Sequence, residues 1–515
     1  MSSESQPSQL QQDKELERLR EIAAGMGGPE KLARRRDERV LNARERIDHL
    51  LDPGSFRESG MLAVSARREV ADSTPADGKV AGFGLVDGRH VAVVSNDFTV
   101  MGASSSTVNG KKVKHIKTVA NRRGLPIVFL GESTGARMPD IMGSAVAMGD
   151  DPLQYQRRRE TPWAAAVLGH CYGSSAWYSS LSDFCVMRKD AVMAVSSPRL
   201  TAMAISEDVD PQDLGGWRIH ATKSGLVDLA VDTDEEALDA ITEFLSYLPS
   251  HSGEPPPRRE VTPEDVPDAT QLDQVIPSSR TKVYDVHDVI SCVVDSGHLF
   301  ELKKHFARSL VTGLARVDGR TVGILANNPR IKGGAIDPDA CAKATSFLVL
   351  CDSFNIPIVF LVDQPGFLIG KEGELRGATG RVMNWMNALS LVSVPRISIV
   401  LRKSYGQAVL NMGGAGNADE VAAWSTAEVG FMEPAYGVRI VHGVTREDDP
   451  DRFEELFEEM NKDTSGAALA AVYAAQEVIK PRETREYLSD ILRIHTTRST
   501  GGVGEGNLRT WPTSY

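Results

Sequence analysis

Six short runs of small residues in this chain stand where an apolar, strand-like segment ends and a helix-like segment begins. Gly102-Ala103 follows a pair of such segments, Gly135-Ala136 follows the run IVFL, and Gly173-Ser174-Ser175 follows AAAVLGHC. Gly333-Gly334, Gly366-Phe367 and Gly406-Gln407-Ala408 hold the matching places further along. A strand that ends in small residues and opens a helix leaves backbone N–H groups without partners and turns the positive end of the helix dipole outward. That arrangement suits an oxygen that gains negative charge during a reaction. Any one of these glycines could equally serve a tight turn. Their paired placement points to two anion-stabilising sites.

Side chains with acid–base capacity are less decisive. Glu132, Asp140 and Asp363 lie near the ends of predicted strands, where they could act as a general acid or base or could fix loops by accepting backbone hydrogen bonds. His170 and His220 are the histidines nearest these loops, with a structural role open to each. There is no GxSxG elbow, no HExxH pair and no GxxxxGK[ST] loop, so hydrolase, zinc-peptidase and P-loop chemistry lack their signatures. Cys171, Cys185, Cys292, Cys341 and Cys351 form no CxxC pair; they read as buried apolar residues, and no metal site is expected.

The elements that must position these loops repeat. GFGLVDGRHVAVVSND (82–97) parallels GLARVDGRTVGILANN (313–328), and LPIVFL (125–130) parallels IPIVFL (356–361), both at an offset of 231 residues. Pro162 leads after ten positions to Tyr172-Gly173, and Pro395 leads after ten to Tyr405-Gly406, an offset of 233. Matches in register at a nearly constant separation indicate an internal duplication, and strands alternating with helices indicate an α/β fold. Upstream, residues 14–25 carry apolar residues at helical spacing, 30–51 resume it, and DPGSF (52–56) supplies a turn. The polar stretch 251–265, with three successive prolines, marks the boundary between halves.

With 515 residues, the chain has room for several cores. Its net charge of −12 argues against a general nucleic-acid binder, and the basic run Arg34-Arg35-Arg36 reads as a solvated helix face. No run of 18 apolar residues occurs and the first residues are polar, so a cytoplasmic protein without a membrane span is expected.

At these residues the chain resembles the carboxyltransferase (beta) subunits of propionyl-CoA and related biotin-dependent acyl-CoA carboxylases. The resemblance runs over roughly 28–490 and is carried by LNARERIDHLLDPGSF (41–56), DFTVMGASS (97–105), GESTGAR (131–137), DLGGWRIHATKSG (213–225), VDQPGF (362–367) and RKSYG (402–406). It implies two tandem crotonase-like (ClpP/crotonase) domains. Residues 1–27 would be an N-terminal tail and helix, 28–255 an acyl-CoA-binding domain, 256–270 a linker and 271–515 a biotin-binding domain. It further implies a hexamer, a trimer of dimers with active sites formed between two subunits, and a partner carrying biotin carboxylase and biotin carrier domains. The biotinylation tetrapeptide AMKM is absent, so carboxybiotin would arrive on that partner.

By position, Gly173 and Ser174 match the family's acyl oxyanion pair, and Gln407 and Ala408 its biotin pair. The resemblance assigns Gly102, Ala103, Gly135, Ala136, Tyr172 and Leu410 to acyl-CoA, and Gly333, Gly334, Gly366, Tyr405 and Gly406 to biotin. The sequence departs from its relatives where CAGGA reads Cys171-Tyr172-Gly173-Ser174-Ser175, where AYGGA reads Ser404-Tyr405-Gly406-Gln407-Ala408 and where GGS reads Gly102-Ala103-Ser104. Added side chains there take space and disfavour positive φ. The apolar Leu410 points away from a strictly propionyl-type pocket. Three other activities share the pattern: a biotin-dependent decarboxylase subunit, a biotin-independent crotonase-type enzyme with Glu132 as base, and a non-catalytic assembly subunit.

Overall fold

The computed structural model describes residues 8–143, 155–280 and 282–512. The chain divides into two compact units, one ending at Ser246 and the other beginning at Tyr247. Each is an α/β unit built on one eight-stranded sheet.

In the first unit the strands are β1 (Arg57–Glu58), β2 (Lys79–Val86), β3 (Arg89–Asn96), β4 (Ile127–Ser133), β5 (Trp163–Tyr172), β6 (Phe184–Arg188), β7 (Val192–Ala194) and β8 (Leu229–Val231). Their order is β1-β2-β3-β4-β5-β6-β8, with β7 pairing β5. The second unit comprises β9 (Phe300–Leu302), β10 (Leu310–Val317), β11 (Arg320–Asn327), β12 (Ile358–Gln364), β13 (Arg396–Tyr405), β14 (Glu420–Trp424), β15 (Glu428–Gly430) and β16 (Glu477–Ile479). Its order β9-β10-β11-β12-β13-β14-β16, with β15 on β13, repeats the first sheet strand for strand.

The repeat extends to register. Ala92 pairs Ile127 in one half and Gly323 pairs Ile358 in the other, and each sheet carries a bulge one strand on, between Gly131 and Ser133 and between Val362 and Gln364. The VDGR motifs are tight hairpins. Asp87 and Gly88 both have positive φ (49° and 74°), as do Asp318 and Gly319 (52° and 74°), the backbone a two-residue turn between twisted strands demands. Asp52 accepts the N–H groups of the first turn at 3.1 and 2.8 Å, and Asp295 those of the second at 3.1 and 2.8 Å.

A crossover helix follows each hairpin: Thr107–Arg123, capped by Ser106, and Pro338–Ser353, capped by Asp337. Each buries a lysine at the matching position, and the first buries Lys117 as well. Lys112 Nζ donates to the carbonyls of Gly60 (2.9 Å), Ala76 (3.2 Å) and Lys79 (2.5 Å), and Lys343 Nζ to those of Lys303 (3.0 Å), Phe306 (3.0 Å) and Leu310 (2.7 Å). Three carbonyls satisfy the ammonium's donors where water is excluded.

The helical stretch expected over 30–51 is broken once. Helices span Gln9–Ala24, Pro29–Asp37 and Ala43–Leu50, and the gap lies where Arg39 adopts φ 54° and Asn42 caps the third helix through the N–H groups of Arg44 and Glu45. The proline-rich stretch runs beside the second sheet, with the Arg259 N–H donating to Gly319 O at 2.9 Å. All five cysteines are buried, and none forms a disulfide among the described residues. Among the described residues no helix is long and apolar enough to cross a membrane, and no cluster of three metal-ligating side chains occurs.

Candidate active site

In the first unit the small-residue loops converge at the C-terminal ends of the parallel strands. The Met101–Ala103 turn holds Gly102 at φ 60°, and a β-carbon there would stand 2.6 Å from the Thr134 methyl. The Thr134 N–H donates to Gly102 O at 2.9 Å, the Ser105 N–H to Gly135 O at 2.8 Å and the Arg137 N–H to Ser105 O at 2.8 Å, a clip that fastens the first two loops together. β5 ends in Gly173, at φ 60° and ψ −130°, a conformation open to glycine and costly for other residues. The helix Ser174–Ser180 starts there, and among the described residues no backbone carbonyl takes up the N–H of Gly173 or Ser174. These two donors are free for a ligand. Ala136, Gly173 and Ser174 line one cavity of about 190 Å³, together with Ser105, Lys79, Phe129 and Trp177. Tyr172 is buried beside it, its hydroxyl 3.0 Å from His170 Nδ1.

The second unit builds the same device. Gly333 has φ 65°, Gly334 φ 82° and Gly366 φ 123°. The Ile336 N–H donates to Gly366 O at 3.1 Å and the Leu368 N–H to Ile336 O at 2.8 Å, the counterpart of the clip in the first half. β13 ends in Gly406 at φ 66°, whose own N–H is taken by Gly430 O at 3.0 Å. The available donors are therefore those of Gln407 and Ala408, at the start of the turn Ala408–Asn411 that carries Leu410. Tyr405 is fully buried, its hydroxyl accepting from Arg280 (2.9 Å) and donating to Glu428 (3.0 Å).

Comparison with known proteins decides the family. Residues 35–502 match the family described as the carboxyl transferase domain. This chain belongs to that family. It is 37% identical over 495 residues to the carboxyltransferase subunit of propionyl-CoA carboxylase from Haloferax mediterranei, covering 93% of this chain and 95% of the relative. It is 35% identical over 497 residues to the methylmalonyl-CoA carboxyltransferase 12S subunit of Propionibacterium freudenreichii subsp. shermanii, covering 94% of each chain. A transcarboxylase 12S structure with methylmalonyl-coenzyme A and methylmalonic acid bound superposes with a TM-score of 0.89 at 33% identity, over 96% of this chain and 97% of that one. The chain is thus a carboxyltransferase subunit, and its two α/β units are the duplicated crotonase-like domains that the sequence implies.

The family's glycine positions are altered here at little conformational cost. Ser174 is helical and Gln407 has φ −70°, so neither position needs glycine, while the positive φ is kept at Gly173 and Gly406. Ala103 differs: it holds φ 49° with a side chain, where its counterpart Gly334 has none. The Ser174 hydroxyl lies 2.7 Å from that of Ser105, and Ser175 accepts from Asn96 Nδ2 at 3.0 Å. Beneath them Lys79 Nζ donates to Asn96 Oδ1 (2.9 Å) and Ala103 O (3.0 Å), and burial pulls its ammonium down to about 7. No sequence motif marks this buried chain, because the partners of Lys79 lie 17 and 24 residues further on.

The acids fix loops. Glu132 takes two bonds of 2.7 Å from Arg35 and pairs Arg46 at 2.7 Å, and Arg46 pairs Asp234 at 2.8 Å. Arg35 is therefore buried, which corrects the solvated reading of the basic run for its middle member; Arg34 and Arg36 remain exposed. Asp140 accepts from Ser65 Oγ at 3.0 Å, and Asp363 from Tyr284 Oη (2.9 Å), Arg402 Nε (3.0 Å) and the Lys403 N–H (3.2 Å). His220 bonds Met193 O at 2.7 Å, and burial lowers its pKa. Burial pushes the Cys171 thiol up to about 12, which leaves it inert.

Proposed function

We propose that this carboxyltransferase moves a carboxyl group between carboxybiotin, brought by the carrier domain of a biotin carboxylase partner, and the α-carbon of an acyl-CoA. One observation supports this above the rest: β5 and β13 each lead into a positive-φ glycine at a loop whose next N–H groups nothing among the described residues engages. Two such devices suit a reaction in which two oxygens gain charge.

Gly173 and Ser174 donate to the thioester oxygen, whose charge rises as the α-proton leaves. Donors already fixed by the loop need no reorganisation at that moment. Gly102, Ala103, Gly135, Ala136 and Tyr172 shape the acyl-CoA site of the first unit, and the Ser105–Ser174 bond steadies its donor loop. Gln407 and Ala408 donate to the ureido oxygen of biotin, with Gly333, Gly334, Gly366, Tyr405 and Gly406 forming the surrounding loops. The residues fit such a ring: a β-carbon at Gly333 would meet nothing within 4 Å, and one at Gly406 only Phe431 O at 3.6 Å. Carboxybiotin, when bound, supplies the carboxyl group and then a nitrogen base for the α-proton. On that division the α-proton needs no side-chain base: Glu132 is engaged by two arginines, and the Lys79 amine in the cavity wall is turned to Asn96 and Ala103. The working assembly is a hexamer, as in the transcarboxylase 12S relative.

The test is loss of the carboxyl group from methylmalonyl-CoA or malonyl-CoA by the purified chain, with and without free biotin. Loss that depends on biotin is expected. Equal loss without biotin, or none with either ester, would overturn the proposal.

A further inference from the structure

A second cavity lies within the C-terminal unit, at the end of its sheet opposite the Gly406 loop. It measures about 450 Å³, the size of a small-molecule site, and is lined by the start of β11, the segment before β12, the proline-rich stretch and the C-terminal tail. Its walls are tied together. Asn355 Nδ2 donates to Ser252 O and Glu254 O, both at 2.9 Å, and its Oδ1 accepts the Gly504 N–H at 2.8 Å, so one side chain ties both walls. Asp352 holds the tail further on through the Leu508 N–H at 2.8 Å, and Arg509 bonds Ser252 Oγ at 2.9 Å.

The lining is cationic. Arg258, Arg320 and Arg498 all face this space. Asp318 accepts from Arg258 at 3.2 Å and from Arg320 at 2.7 Å, one carboxylate for two guanidinium groups. Among the described residues no carboxylate pairs Arg498. Thr321, also on the wall, is 3% exposed, and its hydroxyl has no hydrogen-bond partner among the described residues. A buried hydroxyl left unsatisfied costs about 1–3 kcal/mol unless something bonds it. Opposite these groups, Pro255, Pro256 and Pro357 give the cavity an apolar side.

We infer that this cavity binds a small organic oxyanion, its phosphate or carboxylate end held by Arg498, Arg320 and Thr321 and its apolar body laid against the prolines. Two positive charges in excess of the one carboxylate select an anion, and the volume and the proline wall select one larger than inorganic phosphate. Nothing in the carboxyl-transfer site is used, so the inference stands apart from that function.

Calorimetric titration of the full chain with phenyl phosphate, benzoate and inorganic phosphate tests it. Saturable binding of phenyl phosphate is expected, tighter than inorganic phosphate and weakened about tenfold in Arg498→Ala, with a smaller loss in Thr321→Val. Arg498 is partly exposed and unpaired, so its replacement leaves the fold intact. Benzoate binding with the same Arg498 dependence would support the site with a carboxylate as its anion. Absence of saturable binding by both organic anions, or binding unchanged in Arg498→Ala, would overturn the inference.

Discussion

Gly173 and Gly406 are the residues at which backbone conformation and chemistry meet. Both hold positive φ at the end of a strand, and both are followed by residues whose ordinary φ tolerates a side chain. Ser174 and Gln407 were the departures that made the donor loops questionable from sequence alone. Sequence shows which residue replaces glycine, but only the backbone shows whether glycine was needed. Lys79 is the residue that sequence did not disclose. Its ammonium, buried against Asn96 and Ala103, titrates near 7 in the folded chain against an ordinary 10.5. Between those values the unfolded chain binds a proton that the folded chain does not. Stability therefore rises with pH over that window, and the penalty is full below about 7. Urea unfolding of the wild type and Lys79→Met from about pH 7 to 9 is expected to show the wild type gaining relative to the variant. Parallel pH profiles would contradict the burial of a charge there.

At the level of elements, the strands were the most legible part and the helix–strand ties the least. Apolar runs after Pro126 and Pro357 announce β4 and β12, and the Asp-Gly pairs announce the hairpins, because those signals are local. Arg35 and Glu132 are 97 residues apart, so a run of three arginines gave no sign that its middle member would be buried. Paired lysines Lys112 and Lys343 were invisible for a related reason: their partners are carbonyls, which no side-chain pattern marks. The arginine–carboxylate network fastens the two N-terminal helices Pro29–Asp37 and Ala43–Leu50 to β4. Glu132→Gln removes the charge that compensates Arg35 and Arg46, and a loss of about 3 kcal/mol in chemical denaturation is expected. An unchanged midpoint, with lost turnover instead, would favour a catalytic role for Glu132.

On the scale of the molecule, one architecture occurs twice, and the duplication was readable because the offset stays at 231 across both hairpins and the following strand. The two copies have since diverged in what surrounds their donor loops. The position of Lys79 in one half is held by Leu310 in the other, and Asn327, the counterpart of Asn96, has an amide nitrogen without a partner among the described residues. Divergence of this kind is expected if each loop serves a different oxygen. The central claim is that division of labour, and steady-state kinetics of biotin-dependent carboxyl loss from methylmalonyl-CoA by Gly173→Ala and Gly406→Ala test it most directly. Gly406→Ala is expected to raise KM for free biotin while sparing KM for the CoA ester, and Gly173→Ala to lower kcat about 100-fold with KM for biotin unchanged. Both variants shifting the same parameter, or Gly406→Ala leaving the biotin KM untouched, would contradict it.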